Sequence, residues 1–208
     1  LSDVEAASLP TAGLTAWRAV VTEGQIKPGD VVLVQGTGGV ALFALQFAKL
    51  LGAKVICSSS SDSKLARARA LGADEVINYR TTPEWGRPAK AMAQALSGRD
   101  GVDLVVELGG ENTLAQSLRA VRAGGTVSMI GVLGGATMNA PLGLVVTRAV
   151  RLQGITVGSR DDFLAMSRAI ASSGMQPVVD RVFAFEALRE AMDYLQSGQH
   201  FGKVCIRH

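Results

Sequence analysis

Glycines 36, 38 and 39, in the run Val31-Val32-Leu33-Val34-Gln35-Gly36-Thr37-Gly38-Gly39-Val40-Ala41, are the residues whose type and spacing point most directly to chemistry. Without a Cβ, glycine lets a backbone come close to an anion and adopts conformations closed to other residues. The run before them is apolar, as a parallel strand covered on both faces must be. From Val40 to Leu51 only Gln46 and Lys49 are strongly polar, so a buried helix should follow. Strand, glycine turn and helix N-terminus together make a phosphate cradle. The first N–H groups of a helix lack intrahelical partners, and the helix dipole is positive there. The pattern G-x-G-x-x-G reads Gly36-Thr37-Gly38-Gly39-Val40-Ala41. Ala stands in the third place, where the role is helix–strand packing and Ala is an accepted variant.

The elements that must position this turn alternate along the chain. Residues 53–58 (AKVICS) read as a second strand, and 62–71 as a helix that Gly72 ends. Residues 74–78 (DEVIN) predict a third strand, 87–97 a helix, 102–108 (VDLVVEL) a strand, 112–122 a helix and 124–131 (GGTVSMIG) a strand. RLQGITVG at 151–158 is another strand, with a helix from about Asp161 to Ser172. Such alternation predicts an α/β fold, a doubly wound parallel sheet with right-handed crossovers.

Composition bounds the function classes. The chain has 208 residues, 48% of them hydrophobic, enough for one sizeable core and therefore one domain over 1–208. The net charge of +3 is spread along the sequence, so no nucleic-acid patch is expected, and Lys64, Arg67 and Arg69 read as a solvated helix face. No apolar run has the length of a membrane span and no secretory signal is visible, which predicts no membrane partner. Cys57 and Cys205 both lie in apolar, strand-like runs and read as buried free thiols, which suits a cytoplasmic protein. With His200 and His208 they show no metal-ligand spacing, so no metal site is expected within the chain, and both histidines read as surface residues. Ser97, Ser117 and Ser128 have no His–Asp partners in sequence context, which argues against a hydrolase. No residue stands out as catalytic.

Four stretches then carry a resemblance: ASLPTAGLTAW at 7–17, KPGDVVLVQGTGGVALFALQFAK at 27–49, LGADEVINYR at 71–80 and GQHFGKVCI at 198–206. With them the chain resembles the cofactor domain of the medium-chain dehydrogenase/reductase superfamily, on the side of the zinc-type alcohol dehydrogenases and quinone oxidoreductases. The resemblance implies a Rossmann fold over 1–208, with leading helices in 1–25. It also implies a separate catalytic domain that carries any zinc and that the final strand, within 198–208, joins. This chain has no counterpart of that domain. The expectation is a truncated cofactor domain, inactive alone, with zinc an open question for the intact protein.

The end of the second strand decides which nicotinamide cofactor fits. A carboxylate about 20 residues past the glycines would accept from the ribose 2′-hydroxyl of NAD. The family pattern places Ser59 there, within the neutral, donor-rich run Ser58-Ser59-Ser60-Ser61. In quinone-oxidoreductase-like members a Lys and a Tyr at the positions of Lys64 and Tyr79 hold the 2′-phosphate, so the resemblance implies NADP, with NAD the alternative. Ser60 or Ser61 also suits a helix N-cap, and Asp62 is placed to point back at the ribose. Along with Gly36, Thr37, Gly38, Gly39 and Val40, the resemblance places several further residues on the cofactor. Thr15 faces the nicotinamide–phosphate side, and Gly109-Gly110 lie at the nicotinamide ribose. Gly131-Val132-Leu133 and Val157-Gly158-Ser159 give backbone contacts to the nicotinamide and its carboxamide, and Lys203 lies near the pyrophosphate. The implied partners are the nicotinamide dinucleotide, a small-molecule substrate (alcohol, quinone, enone or enoyl thioester) and a second copy. The second copy would pair through an edge strand at 150–157 and bury Leu152, Ile155 and Val157. Two other classes compete. A methyltransferase would favour an acidic residue before the glycines, where Val34-Gln35 stand, and a non-catalytic NADP-binding or sensing module would share every feature named.

Overall fold

The computed structural model describes residues 1–208. Its centre is β1 (Val31–Gln35), whose five residues are all buried. Around it lie β2 (Lys54–Ser59), β3 (Glu75–Asn78), β4 (Val102–Glu107), β5 (Val121–Met129) and β6 (Arg151–Gly154). The strand order is β3-β2-β1-β4-β5-β6 and every pairing is parallel, with Val34 opposite Cys57 on one side and Val106 on the other. Parallel pairing brings all the strand C-termini to one edge of the sheet. The order reverses between β1 and β4, which opens a crevice at their C-terminal ends.

Helices cover both faces. On one, α3 (Gly39–Leu50) and α8 (Arg160–Ser173) pack with a leading helical run. That run comprises α1 (Asp3–Ala7), a π-helical stretch Leu9–Gly13, α2 (Leu14–Trp17) and a second π-helical stretch Arg18–Thr22. Trp17 meets Phe47 edge-to-face at 5.2 Å, a favourable arrangement for two ring quadrupoles. On the opposite face α5 (Gly86–Ser97) and α6 (Leu114–Ala120) bury Ala89, Ala93 and Leu118 against Leu33 and Val105. α4 (Asp62–Ala70) packs on β2 and β3.

The sequence reading differs from the structure in four places. β5 starts at Val121, not 124, because Val121 leaves α6 in an extended conformation and pairs with Val102. The Gly124-Gly125 turn lies inside the strand, where the register shifts between Val102 and Leu104. The strand expected at 150–157 is only Arg151–Gly154. Val157 has φ +36, which takes the chain out of β geometry. Third, α7 (Leu142–Thr147), β7 (Val179–Ala184) and α9 (Leu188–Gln196) lie outside the elements expected from the sequence. α7 buries no residue and α9 only Ala191. Fourth, β8 (Lys203–Arg207) pairs in parallel with β7 as a separate two-stranded sheet.

Candidate functional site: the crevice above the glycine loop

β1 ends at Gln35, and Gly36 turns the chain with φ +79, the left-handed region that favours glycine. A Cβ there would meet nothing within 4 Å, so the open space belongs to the crevice. Gly38 is the N-cap of α3, in extended conformation, and no side chain caps the helix. A Cβ on Gly38 would find only His200 Nε2, at 4.0 Å. The first turn of a twelve-residue helix is thus open, with its N–H groups available to an anion.

A cleft of about 280 Å³ lies above this turn, lined by Gly36, Gly38, Ser58, Tyr79, Gly109 and Leu133, and also by Gln35, Trp85, Leu108 and Thr113. The last four went unnoticed in the sequence. Beneath the cleft, buried Glu107 accepts from Gln35 Nε2 at 2.7 Å, Gly109 N at 2.9 Å and Gly110 N at 3.1 Å, and from the hydroxyls of Thr113 and Ser117. Gln35 Oε1 accepts from Leu108 N and Gly109 N at 3.1 and 3.2 Å. A buried carboxylate is tolerable only when its lone pairs are so occupied. The network fixes the two loop starts on either side of the crevice. Cys57, behind the loop, lies with Sγ 3.5 Å from the Gly36 carbonyl. Burial pushes its thiol up to about 12, which makes it unreactive.

Other candidate residues are tied up elsewhere. Thr37 is buried, and its carbonyl accepts from Gly202 N at 2.9 Å. Gly39 and Val40 begin α3. Ser58 and Ser59 are buried at the end of β2, and Ser59 O accepts from Tyr79 N at 3.1 Å. Ser60 lies between β2 and α4, while Ser61 is the N-cap of α4 and accepts from Lys64 N at 3.5 Å. Asp62 is exposed, and its Oδ1 accepts from Asn78 Nδ2 at 2.7 Å. Lys64 Nζ donates to the Gly198 carbonyl. Lys203 lays its stem on the glycine loop, with Cδ 2.5 Å from where a Cβ on Gly39 would stand.

Gly131, Val132 and Leu133 follow β5, and Gly134 N donates to Gly109 O at 2.6 Å, so this loop is tied to the one after β4. Val132 and Leu133 are exposed. Thr15, by contrast, is buried with its hydroxyl donating to Thr11 O at 2.6 Å, and does not line the cleft. Ser159 caps α8: its N–H and hydroxyl both donate to Asp162 Oδ2 at 2.9 Å. It has no donor left for a carboxamide. Gly158 packs close to Leu14, and Val157 is partly exposed beside it. His200, expected at the surface, is instead half-buried beside the glycine loop. Nothing local in the sequence shows this, since His200 and Gly38 lie far apart along the chain.

A glycine turn at the sheet's switch point, running into an uncapped buried helix, defines a dinucleotide-binding domain. The comparisons agree. A profile described as Zinc-binding dehydrogenase matches residues 39–172. The chain is 45% identical to a zinc-type alcohol dehydrogenase-like protein of Schizosaccharomyces pombe over its whole length. It superposes on an NAD-dependent alcohol dehydrogenase with a TM-score of 0.89 at 36% identity, covering all of this chain and 60% of that one. A 2-octenoyl-CoA carboxylase reductase, CinF, in complex with NADP and 2-octenoyl-CoA, gives a TM-score of 0.90 at 29% identity, covering 99% of this chain and 50% of that one. The chain belongs to the zinc-binding dehydrogenase family and is its NAD(P)-binding domain. It spans 60% of the length of the Schizosaccharomyces pombe relative.

The family name implies zinc, but the residues here do not fit it. No three His, Cys, Asp or Glu side chains converge as ligands, and the buried Cys57 thiol resists the deprotonation that zinc binding requires. No helix is long and apolar enough to cross a membrane.

Proposed function

We propose that the chain is the cofactor half of an oxidoreductase that moves a hydride between a nicotinamide dinucleotide and a small alcohol or carbonyl, quinone or enone substrate, and that it takes NADP(H) in preference to NAD(H). The observation that carries the reading is the uncapped N-terminus of α3 behind an open Gly36–Gly38 turn, facing the crevice where the strand order reverses. The bound cofactor supplies the hydride chemistry, and the protein supplies position and electrostatics. The α3 N–H groups hold the pyrophosphate. Gly109, Gly131 and Leu133, on loops braced by Glu107 and by the Gly134–Gly109 hydrogen bond, set the path of the nicotinamide half. Substrate sits over this edge of the sheet, in a cleft that the remainder of the intact protein closes against water.

The preference for NADP rests on serines standing in place of a carboxylate at the end of β2. Ser58, Ser59 and Ser60 stand there, and Asp62 is engaged by Asn78. Lys64, in the first turn of α4, and Tyr79, just after β3, are the groups that would meet a 2′-phosphate, and Lys64 must exchange the Gly198 carbonyl for a phosphate oxygen. The test is titration of the chain with NADPH and NADH by fluorescence or calorimetry. NADPH is expected to bind more tightly by about 1.5–3 kcal/mol, the range for hydrogen bonds to a charged group, and Lys64→Ala should erase much of the difference. Equal affinities would overturn the preference, and binding of neither cofactor would overturn the function. A homodimer through the edge strand β6 belongs to the same proposal.

A further inference from the structure

The segment from Gly198 to Lys203 lies across the glycine loop as a strap. Gly202 N donates to Thr37 O at 2.9 Å, Gly202 forms a parallel bridge with Gly38, and Lys203 N donates to Val178 O at 2.9 Å. Phe201 is buried, with the Arg67 guanidinium 4.1 Å above its ring, a cation–π contact that anchors the strap. His200 is held in this strap, and its Nε2 faces the space beside Gly38 that a Cβ would fill. That space is where a Rossmann glycine admits the pyrophosphate. Its other nitrogen, Nδ1, is buried with no hydrogen-bond partner, although the Leu195 carbonyl lies near the ring.

The charges around the ring come from three elements. Lys64 on α4 and Lys203 on β8 are cationic, and Asp180 on β7 is the counter-charge. Asp180 is already committed, accepting from Arg67 at 3.1 Å and from Tyr194 Oη at 2.6 Å. Asp180 thus faces both the ring and Lys64 but shares its oxygens with Arg67 and Tyr194, and Lys64 and Lys203 both disfavour a charge on the ring. Burial and the neighbouring Lys64 both disfavour the protonated imidazole in the free protein and hold it below its ordinary range. An anion placed in the gap reverses that balance, because an opposite charge within about 4–6 Å favours the protonated ring.

We propose that His200 is a pyrophosphate ligand that takes up a proton as the dinucleotide binds, with Nε2–H donating to a phosphate oxygen across the gap from Gly38. The inference rests on the dinucleotide reading above and adds to it a proton-linked affinity. The sign follows from linkage. The ring's pKa is higher in the complex than in the free protein, so the complex binds more protons. Affinity is therefore greatest at pH below both values and falls as pH rises through the bound-state value. Each unit by which binding raises the pKa makes the low-pH plateau about tenfold tighter than the high-pH one.

Calorimetric titration with the acid-stable oxidised cofactors NAD+ and NADP+, from about pH 5.5 to 8, the window in which histidine titrates, tests this. NAD+ isolates the effect, because its pyrophosphate does not titrate in that window whereas the 2′-phosphate of NADP+ does. The expected result is proton uptake on NAD+ binding, read from the dependence of the heat on the buffer's ionisation enthalpy. NAD+ affinity should rise several-fold toward low pH, and His200→Gln should bind with a flat profile. A second readout, independent of any variant, is the His200 ring proton resonance, whose titration should move to higher pH when NAD+ is present. Absence of proton uptake with NAD+, a ring titration that does not move, or an unchanged pH profile in His200→Gln would overturn the proposal while leaving the glycine-loop site standing. A wild-type chain that binds neither cofactor would instead overturn the dinucleotide reading and this inference with it.

Discussion

At the residue scale, Gly38 meets two demands. It must start α3 without a side-chain cap, and it must leave space for whatever sits on the helix end. Its backbone is extended, so a β-branched residue fits the conformation, and a Cβ would meet no atom of the protein closer than 4.0 Å. Gly38→Val is therefore expected to keep the fold, with a denaturation midpoint near wild type, yet to lose NADPH binding because its methyls occupy the phosphate space. Wild-type affinity in a folded Gly38→Val would move the phosphate site elsewhere. The glycine loop was legible in the sequence because its signal is local: three glycines between a Val-rich run and an apolar helix. Gln35 and His200 were not legible, because what they meet lies far along the chain, 72 residues on in the Gln35–Glu107 hydrogen bond. Thr15 and Ser159 show the converse. The resemblance put Thr15 on the nicotinamide–phosphate side and the Ser159 backbone at the carboxamide, but the Thr15 hydroxyl donates to Thr11 O and the Ser159 N–H to Asp162.

At the element scale, Asp74 ties three elements together just before β3. It accepts from Lys49 Nζ of α3 at 2.8 Å and Val55 N of β2 at 2.8 Å, and pairs with Lys54 Nζ at 3.3 Å. Burial alone would raise its carboxyl, but the hydrogen bonds from Lys49 and Val55 outweigh it and hold the group below its usual range. Asp74→Asn should destabilise the chain by about 1–3 kcal/mol at neutral pH. A depressed carboxylate gives stability that is present above its unfolded value of about 3.9 and is lost as pH falls through the lower folded value. The wild type and Asp74→Asn should therefore converge in urea midpoint as acid is added, and a gap that persists below that range would show that charge is not the cause. β1, β2 and β4 were readable because parallel strands buried on both faces must be Val- and Ile-rich. β7 and α9 were not: β7 (VDRVFA) breaks its apolar run with Asp180 and Arg181, and only Ala191 of α9 is buried. The bulge in β5 was read as the strand's start because Gly124-Gly125 marks a turn in sequence whether or not pairing resumes before it.

At the scale of the whole molecule, β6 is one of the two edges of the six-stranded sheet, β3 being the other, and α7, which precedes it in the chain, exposes Leu142 and Val146. An unpaired apolar edge is a pairing template, and a two-fold contact would satisfy both copies at once. Ile155, expected to be buried by that contact, is already buried within the protomer, and its N–H donates to Met129 O at 2.9 Å. Hydrogen bonding alternates along a strand, so Leu152 and Gly154 are the residues whose N–H groups face outward. Sedimentation should show a species of twice 21.7 kDa, and Gly154→Pro, which removes an outward donor where a Cβ meets nothing, should shift it toward monomer. A wild-type chain that remains monomeric at tens of micromolar, roughly where a weak dimer still shows, would remove this contact. A larger cavity of about 580 Å³ lies at the other end of the sheet, where Arg99 and Arg122 are paired with Asp103, and its arginines make it a rival location for an anionic ligand of this size. The two ends are separated most directly by amide resonances on titration with NADPH. The glycine-loop account predicts that the N–H signals of Gly38, Gly39, Val40 and Ala41 shift and gain protection from exchange. Shifts confined to Gly24, Arg99, Arg122 and Arg151, with the glycine loop unmoved, would contradict it.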